Sequence, residues 1–81
     1  MPERPFIVYP CRWEYRVIGQ DREALVAAIR TVVGDLDHVL ADGNRSGKYL
    51  SLSLELVVAD EDQRNALFVA LKRQGAVIMV L

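Results

Sequence analysis

Polar and apolar residues alternate over Arg12-Trp13-Glu14-Tyr15-Arg16-Val17-Ile18. Trp13, Tyr15 and Val17 share one side of an extended chain, and Arg12, Glu14, Arg16 and Ile18 share the other, which predicts a strand with one buried face. From Asp21 the period changes. Leu25, Val26, Ile29, Val32 and Val33 form one stripe of a helix. Asp21 caps its first turn, Glu23 favours its positive end, and Gly34 stops it. Beyond it, Val39-Leu40-Ala41 predicts a short strand, and the turn-rich run Asp42 to Gly47 a hairpin loop. The longest alternation follows: Leu50, Leu52, Leu54, Leu56 and Val58 on one face, Tyr49, Ser51, Ser53, Glu55 and Val57 on the other. A slip of one residue would expose the whole apolar row, so the register is firmly set. Asp60 and Gln63 form a capping box. The helix they open turns Ala66, Leu67, Ala70 and Leu71 inward, carries Phe68 on its flank and ends at Gly75. Val77 to Leu81 predicts a last strand, with Val77, Met79 and Leu81 inward and Ile78 and Val80 outward.

Strand, helix, strand, strand, helix, strand is the order of the ferredoxin-like βαββαβ plait, an α+β fold with two helices on one face of a four-stranded antiparallel sheet. The preferred crossover hand centres the first and third strands and gives the order 4-1-3-2. Residues 1–8, with two prolines and mixed charge, predict a loose arm, and residues 9–81 a single domain.

Composition narrows the classes of function. The 81 residues are 52% hydrophobic and 26% charged, which fits a globular domain and excludes a disordered tail or a disulfide scaffold. Ten basic and eleven acidic side chains give a net charge of −1, without the basic surplus of a general nucleic-acid binder. Cys11 is the single cysteine, and no second histidine or asparagine completes a dyad that would make it a nucleophile. Asp35, Asp37, His38 and Asp42 lack calcium-loop spacing, so neither a metal nor a cofactor is implied. No apolar run approaches the ~20 residues of a membrane span, and the N-terminus has no signal-peptide core. The cytoplasm is the expected location.

The open face of such a sheet would carry Arg12, Glu14, Arg16, Ile18, Tyr49, Ser51, Ser53, Glu55, Val57, Ile78 and Val80. A charged and hydroxylated centre flanked by apolar side chains is either a plain solvated face or a contact surface. The last strand carries no charged side chain to guard its edge. A protein partner, or self-association through this face or edge, is therefore expected. RNA readers use the same plait, but here only Tyr49 of the strand aromatics would face outward, so nucleic acid is not expected. A second candidate is the turn Gly19-Gln20-Asp21-Arg22. Free amides at a helix start can hold a carboxylate or phosphate, although Asp21 competes for them.

Tyr9-Pro10, the run Trp13 to Gly19, the run Ser46 to Ser53 and the ending Ile78-Met79-Val80-Leu81 together resemble the YbeD-like family of small bacterial cytoplasmic proteins, from about Tyr9 to Leu81. The resemblance implies an ACT-like fold, an abbreviated second strand and no established activity. ACT regulatory domains bind amino acids at subunit interfaces near the turn after the first strand, where Gly19 falls. A link of the family to lipoate metabolism is by association. Fold likeness does not carry function across.

Two functions are expected on these grounds, neither of them enzymatic. One is a regulatory or interaction module acting through the open sheet. The other is an effector-binding domain for an amino acid or small acid, with Arg22 pairing the ligand's carboxylate and Gly19 allowing close backbone approach.

Overall fold

A computed structural model describes residues 8–81. The expected arm lies almost wholly outside the described residues; within them, Val8 is exposed and Tyr9 packs against the core. The element order is β1 (Cys11–Gly19), α1 (Arg22–Val33), β2 (Val39–Ser46), β3 (Tyr49–Val58), α2 (Glu61–Lys72) and β4 (Met79–Val80). The sheet runs β2-β3-β1-β4, which is the expected order 4-1-3-2 read from its other edge. All three strand pairings are antiparallel.

The two alternating segments lie side by side, as their patterns require. β1 and β3 pair without a break from Cys11↔Val58 to Gly19↔Leu50. Residues directly opposite point to the same face, so Tyr15 meets Leu54, and Val17 meets Leu52, on the dry side. These four join Leu25, Ile29 and Val33 of α1 and Leu67 and Leu71 of α2 in the core. No polar or charged residue among those described is buried.

Both helices start as predicted. The Asp21 carboxylate accepts from the amides of Glu23 and Ala24 at 3.0 and 3.3 Å. Asp60 accepts from the Gln63 amide at 2.7 Å, and the Gln63 side chain accepts in turn from the amide of Ala59 at 2.6 Å. Gly34 closes α1 with φ +57°, a left-handed conformation that suits glycine. α2 stops at Lys72, before Gly75, and Ala66 faces solvent, not the core.

Three other details differ from the sequence reading. β2 is eight residues long, neither a three-residue strand nor abbreviated, because a bulge between Asp42 and Arg45 lets pairing resume through the expected loop. Gly43 makes this possible: a Cβ there would lie 2.4 Å from Ser51 Oγ. β4 has the opposite phase. Val80 pairs with Val17 and is buried, whereas Met79 and Leu81 face solvent, so Val80 does not belong to the open face. An all-apolar strand has no alternation to set its phase, and the turn Gln74–Val77, closed by the Val77 amide donating to the Gln74 carbonyl at 3.0 Å, sets it instead. Trp13 keeps the helix side but is only half-buried, at the sheet's margin.

Two residues tie the layers together. Gly19 lies where β1 passes under the α2–β4 connection; a Cβ there would sit 2.7 Å from the Ala76 carbonyl oxygen and 2.8 Å from Leu25 Cδ2. The Tyr15 hydroxyl donates to the Arg64 carbonyl at 2.5 Å, joining the central strand to α2. Burial pushes this phenol up from 10.0 to about 12, with the Arg64 charge acting in the opposite direction.

Gly19→Ala forces backbone apart and is expected to cost ~1–3 kcal/mol, seen as a lower urea midpoint at unchanged m-value; an unchanged midpoint would refute the close packing. The folded phenol of Tyr15 holds its proton to higher pH than the unfolded one. Its contribution is fully present below pH 10 and is lost as pH rises through about 12. Stability between pH 10 and 12 therefore falls more steeply in the parent chain than in Tyr15→Phe, measured by urea unfolding at stepped pH; parallel curves would exclude it.

Candidate functional site

The turn after β1 is occupied by its own side chains. Gly19 is buried and Gln20 is exposed. Asp21 takes the α1 amides that an anion would need. Arg22 reaches across to β2, where its Nε donates to Asp42 at 2.8 Å. That hydrogen bond and the Asp42 charge push the guanidinium's pKa up from its usual value. A shallow cleft of about 210 Å³ lies here, lined by Arg22, Asp42, Gly43, Asn44, Arg45, Leu50 and Ser51. Gly19, Gln20, Asp21 and Arg22 are thus neighbours in space, but only Arg22 lines the cleft, and it already has an anionic partner.

The acidic segment near β2 is dispersed. His38 Nδ1 lies 2.8 Å from the Leu36 carbonyl. Among the described residues no three His, Cys, Asp or Glu side chains gather as metal ligands. Cys11 is free and half-buried. No helix among the described residues is long and apolar enough to cross a membrane.

The open sheet face brings more together. Arg12, Glu14, Arg16 and Ile18 of β1 alternate onto it, opposite Val57, Glu55, Ser53 and Ser51 of β3. Val39 and Ala41 of β2 extend the Glu55 and Ser53 rows, and Met79 of β4 extends the Ile18 row. Leu81 lies beside Arg16, each backbone donating to the other at 2.8–2.9 Å. Tyr49 stands at the β2–β3 end, with Lys48 Nζ 5.6 Å from its ring centre. Arg12 Nε bonds Glu55 at 2.5 Å. This pair offsets the placing of Glu14 directly across from Glu55, since like charges across a ladder repel. Ser51 is committed internally, its hydroxyl accepting from the Asn44 amide at 3.0 Å and holding the bulge.

Around that charged centre lie exposed apolar side chains: Val57 at 58%, Val39 at 53%, Met79 at 50% and Leu81 at 65%. Ile78 is exposed but precedes β4, and the open-face position beside Ile18 expected for it is taken by Met79. Sequence reasoning missed Val39, Met79 and Leu81, because the register of β2 and the phase of β4 come from a bulge and a turn.

It also missed a groove on the helix side of β1. Trp13, Glu14, Tyr15, Arg64, Asn65, Phe68 and Leu81 line a cavity of about 510 Å³. The Arg64 guanidinium sits 4.6 Å from the Trp13 ring centre, in cation–π contact. The sequence pattern puts Trp13 in the core and Phe68 on the flank of α2, and only the short β4 shows why they border an opening.

Known proteins place this geometry in context. The fold and length match the solution structure of protein HP0495 from Helicobacter pylori, with a TM-score of 0.83 and 30% identity over 100% of this chain and 94% of that one. The ACT domain from the GTP pyrophosphokinase of Chlorobium tepidum shares the fold, with a TM-score of 0.67 at 19% identity over 86% of this chain and 94% of that one. A UPF0250 protein of Hahella chejuensis is 34% identical over 98% of this chain and 93% of its own length. Residues 4–81 match the family described as protein of unknown function DUF493, and the chain belongs to that family, consistent with its YbeD-like motifs.

Proposed function

We propose that this chain is a non-enzymatic interaction module whose working surface is the open sheet face. One observation carries the reading. Of the nine large apolar side chains that stand exposed among the described residues, Val39, Tyr49, Val57, Met79 and Leu81 lie on this one face. Solvated sheet faces scatter such residues singly, whereas five gathered on one face mark a contact surface; the charged centre they flank reverses the usual apolar core and polar rim, so the partner must bring complementary charge to it. Arg12, Glu14, Arg16 and Glu55 supply that centre. An effector site at Gly19–Arg22 is the competing reading; the helix amides there are taken by Asp21.

The test compares two exposed valines. Val57 is on the open face, and Val69 is on α2, away from the sheet. A tagged chain carrying Val69→Glu is expected to retain a cellular partner that Val57→Glu loses at least tenfold, measured by quantitative affinity capture. Equal retention by both overturns the reading. In a thermal-shift screen, an amino acid or small acid at 100 times its dissociation constant would stabilise by about 2.7 kcal/mol; loss of that shift in Arg22→Gln would assign the function to the turn instead.

A further inference from the structure

β4 pairs with only part of β1. Arg16 exchanges two backbone hydrogen bonds with Leu81, and Ile18 accepts from the Ile78 amide at 2.8 Å. Residues two apart on a strand point their amides and carbonyls to the same side, so those of Arg12 and Glu14 face the β4 side as well. Trp13 and Tyr15 point theirs toward β3. Among the described residues nothing pairs with the Cys11–Tyr15 stretch on that side, and the aromatic groove lies directly above it.

This stretch is self-complementary. In an antiparallel pairing of β1 with β1 of a second copy, only residues with outward-facing backbone groups can exchange ladder bonds. Three registers place Arg12 or Glu14 there. One sets Arg12 against Arg12, and another sets Glu14 against Glu14; both oppose like charges. The third has its twofold axis at Trp13 and sets Arg12 against Glu14 of the second copy, twice by symmetry. It has limits at both ends that match the free length. The next position would place Pro10 of the second copy, which has no N–H, opposite Arg16, which Leu81 already holds.

We propose that this edge of β1 is a homodimer interface, in which Cys11–Tyr15 of two copies join antiparallel about Trp13 to make one eight-stranded sheet. Each Glu14, which has no ion partner among the described residues, gains Arg12 of the other copy. Each Trp13 indole enters the other copy's groove of about 510 Å³ against Phe68 and Arg64. The inference does not rest on the open-face reading, since the ladder uses the backbone edge of β1 and the groove beside it, although the Arg12 and Glu14 side chains also belong to that face.

The experiment is a charge swap read by sedimentation equilibrium over roughly two decades of concentration. The parent chain is expected to move from monomer to dimer. Glu14→Arg sets Arg against Arg12 and weakens the dimer about tenfold or more, as does Arg12→Glu; the double variant Arg12→Glu/Glu14→Arg restores it. Circular dichroism confirms that each variant is folded, and Val69→Glu, on the exposed side of α2, dimerises like the parent. Trp13→Cys in a Cys11→Ser chain adds a second readout. Facing non-hydrogen-bonded residues have Cα atoms ~4.5 Å apart, within disulfide reach, so mild oxidation links two chains. A parent chain that stays monomeric throughout, a dimer indifferent to Glu14→Arg, or failure of the double variant to restore it overturns the proposal. So does a chain that dimerises only once residues 1–7 are removed, because the edge would then belong to the chain's own segment.

Discussion

The unbroken ladder between β1 and β3 decides which side chains of this chain meet water. Nine pairs run from Cys11↔Val58 to Gly19↔Leu50. Because facing residues share a side, one register buries Tyr15, Val17, Leu50, Leu52, Leu54, Leu56 and Val58 together. Each large apolar side chain removed from water contributes ~1.5–3 kcal/mol, so a one-residue slip of either strand would forfeit more than the whole stability of a small domain. Both helices dock onto that row. The same constraint gathers Arg12, Glu14, Arg16, Glu55 and Val57 on the opposite face, whatever their cost there. The contact surface and the core are therefore two sides of one register.

What was legible in the sequence follows from this. Strong alternation at 12–18 and 49–58 fixed the central strands and their faces. The helix caps were equally plain, because Asp21 and Asp60 satisfy amides within three residues of themselves. The misread parts depend on contacts distant in sequence or on residues without a polar marker. β2 continues past Asp42 because Gly43 lets Ser51 approach and hold Asn44. Val77 to Leu81 is apolar throughout, so its phase comes from the Gln74–Val77 turn and its anchoring on Ile18. Val80 is inside and Met79 outside for that reason. Of the two site candidates, the open face was readable through alternation. The self-occupation of the β1–α1 turn was only half visible: the cap by Asp21 was foreseen, the Arg22–Asp42 pair was not.

The shortness of β4 links these observations. Among the described residues pairing on this side reaches Arg16, and α2 covers the stretch beyond it only in part, with Arg64 over the Trp13 ring and its carbonyl on the Tyr15 hydroxyl. Tyr15, one residue from the last pair, is buried, whereas Trp13, three residues away, borders the groove. The exposure of this tryptophan is a consequence of edge length, not of a weak apolar pattern.

Unpaired edges are usually guarded by charge, proline or a bulge. Here the far edge strand β2 has its bulge and an exposed polar sequence, and the β1 stretch has Pro10 at one end and Arg12 and Glu14 along its length. Arg12 and Glu14 are opposite in sign and two residues apart, so they repel an in-phase copy and attract one turned about Trp13. The same pair of charges that protects the edge from indiscriminate strand addition thus selects one register of self-pairing, by the logic that lets a charge pattern exclude wrong partners while admitting one.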